Sequence, residues 1–269
     1  MRTVLLIFFS TLFSLNIFSQ SIEIGGLTGL SRYQGDLTSK LFQKEDFSLA
    51  FGIHGRYYIN EYFSAQIHFY KAEVSGDDAL APLASGRQQR NLNFRSNILE
   101  LGVQGEWNFL GFDPNGYELF SPYLFLGIAG FHFNPKTQYG YQLVELQPIG
   151  TEGQGLPEFP DRQKYSRLAF AIPVGFGIKW SVNDLVTLGF EIGSRITFTD
   201  YIDDVSKSYP DILALREVDM KRAALSYRAV NFDETTDFNN PTGQRGNPKN
   251  KDWYIVGGLT IGINLSSTY

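Results

Sequence analysis

Long stretches of this chain place an apolar residue at every second position. Phe47, Leu49, Phe51, Ile53, Tyr57 and Ile59 alternate with Ser48, Ala50, Gly52, His54, Arg56 and Tyr58, the period of a strand whose two faces meet different surroundings. Asn60 and Glu61 make a two-residue turn, after which Phe63, Ala65, Ile67 and Phe69 continue the apolar face, so the pair predicts a hairpin. The same alternation runs through residues 99–109, 168–180, 186–192 and 253–265. Residues 22–32 and 123–133 read as two further strands of ambiguous facing, the first because of its glycines and the second because both parities are apolar. The pattern predicts eight strands.

Their connections alternate long and short. Polar loops at 33–46, 75–96, 134–165 and 199–251 are separated by short turns at 60–61, 110–122 and 181–184. Within the last loop, residues 210–230 space Leu215, Val218 and Leu225 as a helix on a surface would. Outer-membrane barrels show this alternation because short turns face the periplasm and long loops face outside. Strands of roughly 9–11 residues suffice to cross when tilted, and only a closed barrel satisfies every backbone group in lipid. A soluble barrel would show the same period with the apolar face inward. The polar face, however, carries Gly52, Gly102, Gly175, Gly177, Gly189, Gly193, Gly258 and Gly262, which suits the crowded interior of a narrow barrel rather than a solvated sheet. The expected fold is all-β: an eight-stranded antiparallel transmembrane β-barrel of the outer-membrane type, with long external loops, one bearing a short helix. Pro173 argues against a regular strand there, since it cannot donate to a ladder. A bulge, or pairing only from about Val174 onward, would absorb it.

Composition adds the compartment. Residues 1–20 combine one cation at Arg2, an apolar run to about Phe18, and small or polar Ser19 and Gln20. This reads as a signal peptide cleaved near residue 19–20, leaving 21–269 as the barrel domain at the cell outer membrane. The chain has 0 Cys, so disulfides and cysteine acylation are excluded. A net charge of -5 without a basic patch excludes nucleic acid as a partner. Aromatic residues gather at the strand ends, with Tyr57, Tyr62, Trp107 and Trp180 at the short-turn end and Phe47, Tyr70, Tyr201 and Trp253 at the long-loop end. Such girdles mark the contact with outer-membrane lipids.

With the apolar face outward, Arg56, Glu100, Glu106, Lys179, Glu191 and Arg195 point into the lumen with His54 and His68. Buried charges must be paired, so a structural plug is expected rather than a pore. Asp200, Asp203 and Asp204 offer oxygen ligands, but their spacing is not that of a Ca²⁺ loop, and a solvated acidic rim is the expectation. Tyr33, Gly35 and Asp36 read as a turn. His132 on a barrel rim is the one place for a lipid-modifying enzyme, yet no serine or acid stands at a triad spacing. No catalytic residue, metal or cofactor is assigned.

Three stretches carry a resemblance: GLSRYQGDL at 29–37, TFTDYIDDVSKSY at 197–209, with Thr199, Asp200, Tyr201, Asp203 and Asp204 its most specific part, and RGNPKNKDWYIVGGLTIGI at 245–263. Together they resemble the PorG-like outer-membrane β-barrel family, components of the type IX protein secretion system. The resemblance implies a non-enzymatic barrel that anchors a periplasmic lipoprotein ring of PorK/PorN type. The alternative is a stand-alone OmpA-like barrel that stabilises the envelope or binds a ligand through its loops.

Overall fold

A computed structural model of the chain describes residues 21–38, 46–229, 241 and 243–265. The signal-peptide expectation for 1–20 lies outside the described residues. Among the described residues there are nine strands: β1 Ile22–Gln34, β2 Phe47–Tyr58, β3 Phe63–Asp77, β4 Asn93–Asn108, β5 Phe120–Tyr139, β6 Gln142–Glu145, β7 Leu168–Asn183, β8 Val186–Thr197 and β9 Trp253–Asn264. All pairings are antiparallel between barrel neighbours, and β1 pairs with β9, which closes the sheet. The result is an eight-stranded barrel of the outer-membrane type, with β6 a short flap. β6 pairs with residues 136–139 of β5, on the edge that β7 leaves beyond His132.

Strand parity sets the two surfaces. Phe51, Ile53, Ile67, Leu101, Leu126, Phe176, Leu259 and Ile261 lie exposed on the outer wall. That is a contiguous apolar belt, which water would penalise and acyl chains would not. Tyr57, Trp107 and Trp180 are exposed on the outer wall at the short-turn end, and Trp253 is half-buried at the long-loop end. Two other aromatics stand elsewhere than the pattern suggested. Tyr70 has inward parity and is 1% exposed within the lumen, and Tyr201 belongs to the external loops, stacked on Tyr165 with ring centroids 4.5 Å apart.

The inward glycines face large neighbours. A Cβ on Gly52 would lie 2.0 Å from Cδ1 of Tyr70, and one on Gly177 would lie 2.5 Å from Tyr123. Small residues therefore leave the space into which the lumen's tyrosines fold. Pro173 is absorbed on one side only. β7 and β8 stay paired through Pro173 and Arg195, whereas the β5–β7 ladder breaks between the pairs Leu126–Val174 and Ala129–Ala171. The missing amide faces β5, and the strand neither bulges nor stops there.

Three strands run further than the alternation shows. β3, β4 and β5 stay paired to Asp77–Asn93 and Arg95–Lys136, well into what reads as loop. The expected single helix is two, α1 Ile212–Val218 and α2 Met220–Ser226, broken at Asp219 with φ −160°. Asp211 accepts from Ala214 N–H and Asp219 from Lys221 N–H, so each helix starts on an aspartate cap. Neither merely lies on a surface, because Ile212, Leu215, Ala223 and Leu225 are buried. Loop side chains Leu37, Leu92, Leu146, Ile202, Val205 and Leu225 join barrel residues Phe94, Phe131 and Phe133 in one apolar core. The external loops thus form a packed cap over the barrel mouth.

Candidate functional site

Inside the barrel, two charged clusters stack along the axis. Toward the short turns, the Arg56 guanidinium bonds Glu23, the Glu106 carboxylate at 3.0 Å and Gln66 Oε1 at 2.8 Å. Lys179 Nζ donates to Glu106 at 2.7 Å and stands 4.4 Å from the Tyr123 ring centroid. Ser64 also donates to Glu106 at 2.8 Å, and Tyr58 to Glu23 at 2.7 Å. Above them, Glu100 receives His68 Nε2 at 2.9 Å, Arg195 Nε at 3.4 Å and the Tyr254 hydroxyl at 2.5 Å. Glu191 has no cation within ion-pair distance among the described residues; it accepts from Tyr123 at 3.0 Å and from Tyr70 at 3.4 Å. The six lumen charges expected from parity all point inward and are buried, and His54 and His68 join them.

Glu23, Gln66, Tyr58 and Tyr123 complete this network; Tyr58 and Gln66 stand on the polar face that the alternation gives β2 and β3, whereas the facing of Glu23 and Tyr123 did not emerge from the sequence pattern. Glu23 was findable, since it alternates with Ile22 and Ile24, but the glycines of β1 obscured its facing. Phe112, from the turn at 109–119, is 1% exposed and folds up under Lys179, 5.4 Å from its Nζ. Phe112 at the short-turn mouth, buried charged side chains through the middle and a packed cap above together occupy the lumen.

The stretch at 197–209 is not a solvated rim. Asp203 and Asp204 are 1% and 0% exposed, and Asp200 is 3% exposed. Asp203 and Asp204 turn inward to bond other segments of the chain. Asp204 accepts from Thr151 at 2.5 Å and Tyr165 at 2.7 Å, while its carbonyl accepts from Arg245 at 2.6 Å. Asp203 takes the Val205 N–H at 2.9 Å, and Asp252 takes the Ile202 N–H at 2.8 Å. Between these two carboxylates sits the Tyr33 hydroxyl, 2.6 Å from Asp203 and 2.9 Å from Asp252. One hydroxyl carries one proton, so the second contact is a hydrogen bond only if one of the two acids is protonated. Burial pushes both carboxyls far above the usual range; Asp36 adds to this at Asp203, as do Asp203 and Asp200 at Asp252. Burial also raises Asp204 to about 6 against the pull of Arg245, and Asp200 to about 7.

Tyr33, Asp203 and Asp252 come from the three separate stretches that carry the family resemblance, and the cap brings them together. Further bonds repeat the convergence: Asn247 N–H donates to Asp36 at 2.7 Å, and Arg245 pairs with Glu152 at 3.2 Å. Arg90 clamps Asp78 at 2.7 Å and reaches the Asp36 carbonyl at 3.0 Å. Tyr33 and Asp36 are thus parts of this junction, not merely of a turn. No cluster of three or more His, Asp or Glu is arranged to hold a metal ion among the described residues. His132 lies on the outer wall and makes no side-chain hydrogen bond among the described residues.

Solved structures similar to this chain include Ail, the attachment invasion locus protein of Yersinia pestis, in complex with the heparin analogue sucrose octasulfate. It is 9% identical, with 92% of this chain and 100% of that chain covered and a TM-score of 0.43. Neisserial surface protein A is 11% identical over 93% of this chain and 98% of its own, with a TM-score of 0.42. OprG from Pseudomonas aeruginosa is 10% identical over 92% and 96%, with a TM-score of 0.38. No curated protein matches the chain significantly. A family model covers residues 2–223, and the chain belongs to that family, described as Domain of unknown function (DUF6089).

Proposed function

We propose that this chain is an outer-membrane barrel that works as a structural and assembly component, a membrane-fixed seat for a periplasmic protein. Its setting is the type IX secretion system, where the PorG-like resemblance implies a lipoprotein ring of PorK/PorN type as the partner. The filled lumen leaves the outer surfaces to do the work. The observation that carries the reading is the character of the periplasmic face. Its turns at 59–62, 109–119 and 181–185 carry Glu61, Asp113, Glu118 and Asp184 and contain no Lys, Arg or His. Beside these acids Tyr117 is 99% exposed. A one-signed patch with a free aromatic suits a basic partner surface, since complementary charge steers and registers docking. The test is purification from native outer membranes: ring lipoproteins should accompany the wild-type barrel and be lost when the four acids are changed to lysine. Equal recovery by the variant would remove this reading.

A second reading has an observation of its own. The external loops share a core with the barrel, as they would in an OmpA-like barrel that presents a ligand-binding surface. Gene deletion separates the two. Unimpaired cargo secretion with altered envelope integrity would favour the stand-alone barrel.

A further inference from the structure

Beside the acidic junction, on the outer wall, a cleft of about 700 Å³ opens where β7 and β8 leave the apolar belt. Its lower wall is apolar and unusually bare: Leu168, Phe170 and Phe198 are 70%, 73% and 65% exposed. Its upper wall carries Lys207 and Lys251. Several basic side chains at this end of the barrel pair with a carboxylate: Arg95 with Glu73 at 3.3 Å, and Lys136 and Arg167 with Glu145 at 3.1 and 3.0 Å. Lys207 and Lys251, which share one cleft, form no such ion pair among the described residues. Among the described residues they donate only to the carbonyls of Asp161 and Pro248, at 3.1 and 3.0 Å. The cleft floor adds Asp200, whose two carboxylate oxygens are buried beneath it.

We propose that this cleft holds an anionic lipid of the outer leaflet, with acyl chains against Leu168, Phe170 and Phe198 and a phosphate between Lys207 and Lys251. Charge complementarity selects the occupant. Two cations without carboxylate partners stand directly above an apolar wall, and an amphiphile with a negative headgroup satisfies both at once. A neutral lipid leaves the lysines unmatched, and a free phosphate leaves the apolar wall bare. Asp200 acts through its charge, since its oxygens are buried beneath the cleft. Neutral, it leaves the lysines' field on the phosphate intact; ionised, it opposes it. The groups acting on it are Ser206 and Lys251, which favour the ionised form, and Asp36 and Glu152, which oppose it, while the Asp200 charge in turn raises Asp252. Binding therefore weakens as pH rises through about 7. The proposal rests on the barrel spanning the membrane, and it is independent of any role in secretion.

The experiment is native mass spectrometry of the folded barrel in detergent, titrated with lipid A, with dephosphorylated lipid A, and with inorganic phosphate as competitor. Heat-modifiable migration verifies the fold of each variant first. K207Q/K251Q should bind lipid A on the order of 10-fold more weakly, given the usual worth of a basic residue near an anionic surface, while K71Q on the same wall should match wild type. D200N should bind equally well on both sides of neutral pH. Equal affinity of the double variant, or of wild type for the dephosphorylated lipid, would overturn the site. Complete displacement of lipid A by inorganic phosphate would overturn the lipid as its occupant.

Discussion

At the scale of single residues, the lumen works by unequal pairing. Glu106 is held by both Arg56 and Lys179, whereas Lys179 has Glu106 as its one carboxylate partner among the described residues. Glu106→Gln therefore strands a buried ammonium, with an expected loss of about 3–5 kcal/mol. Lys179→Met leaves Glu106 with Arg56 and should be markedly milder. Unfolding by denaturant in detergent micelles measures both, and the reverse order would contradict the pairing scheme. Gly52→Ala tests the packing in the same assay: a methyl group 2.0 Å from the Tyr70 ring should cost about 1–3 kcal/mol by overpacking. These residues differ in how far the sequence revealed them. Parity located Arg56, Glu106 and Lys179, because a strand offers a side chain only two directions. Tyr70 was misplaced because an aromatic at a strand end suits a girdle and a lumen equally well, and only its parity separates them.

At the scale of elements, the segment at 198–209 ties the cap together with carboxylates that prefer to be protonated. Their ordinary pKa is near 3.9, and in the folded cap Asp204 stands at about 6 and Asp200 at about 7. The folded cap therefore binds more protons than the loose one. Its stability is fullest below about pH 4 and declines as pH climbs through about 7, with a further decline where Asp203 and Asp252 ionise. Amide exchange, corrected for the intrinsic rate, should show the Ile202 and Val205 amides better protected near pH 5 than near pH 8. Asp252→Asn, which supplies an amide donor to Tyr33, should flatten that dependence at Ile202. Protection that rises with pH would refute the shared-proton junction. Nothing in the local sequence discloses this element. Tyr33 meets Asp203 across 170 positions and Asp252 across 219, and loops have no period from which such a meeting could be read. The strand extensions were hidden for a related reason: past the bilayer edge the outer face meets water and the inner face meets the cap, so in β3, β4 and β5 the alternation inverts, with Val74, Phe94 and Phe133 inward and Glu73, Arg95 and Asn134 outward.

For the whole molecule, the barrel should migrate faster unheated than heated in electrophoresis and should show no stepwise conductance in planar bilayers. Phe112→Ala should leave conductance at zero, because the Arg56–Glu106–Lys179 cluster lies above the stopper; open-channel steps in that variant would contradict a filled lumen. The architecture at this scale was the most legible part of the sequence, since eight alternating segments and long and short connections leave few closed solutions. Closure has a kinetic corollary. Glu23 lies on β1, Arg56 on β2, Glu106 on β4 and Lys179 on β7, and β1 reaches its other neighbour only when Ile24 finds Ile263 at the far end of the chain. Until that final seam zips, Glu23 and Arg56 can meet across neighbouring strands, but the lumen-spanning contact of Lys179 with Glu106 is not fixed and these charges must stay hydrated inside a curled, open sheet. Dehydration of the interior and joining of the first strand to the last are then one cooperative event. Membrane assembly of this barrel should pass from a wet half-cylinder to a dry cylinder without a stable intermediate between them.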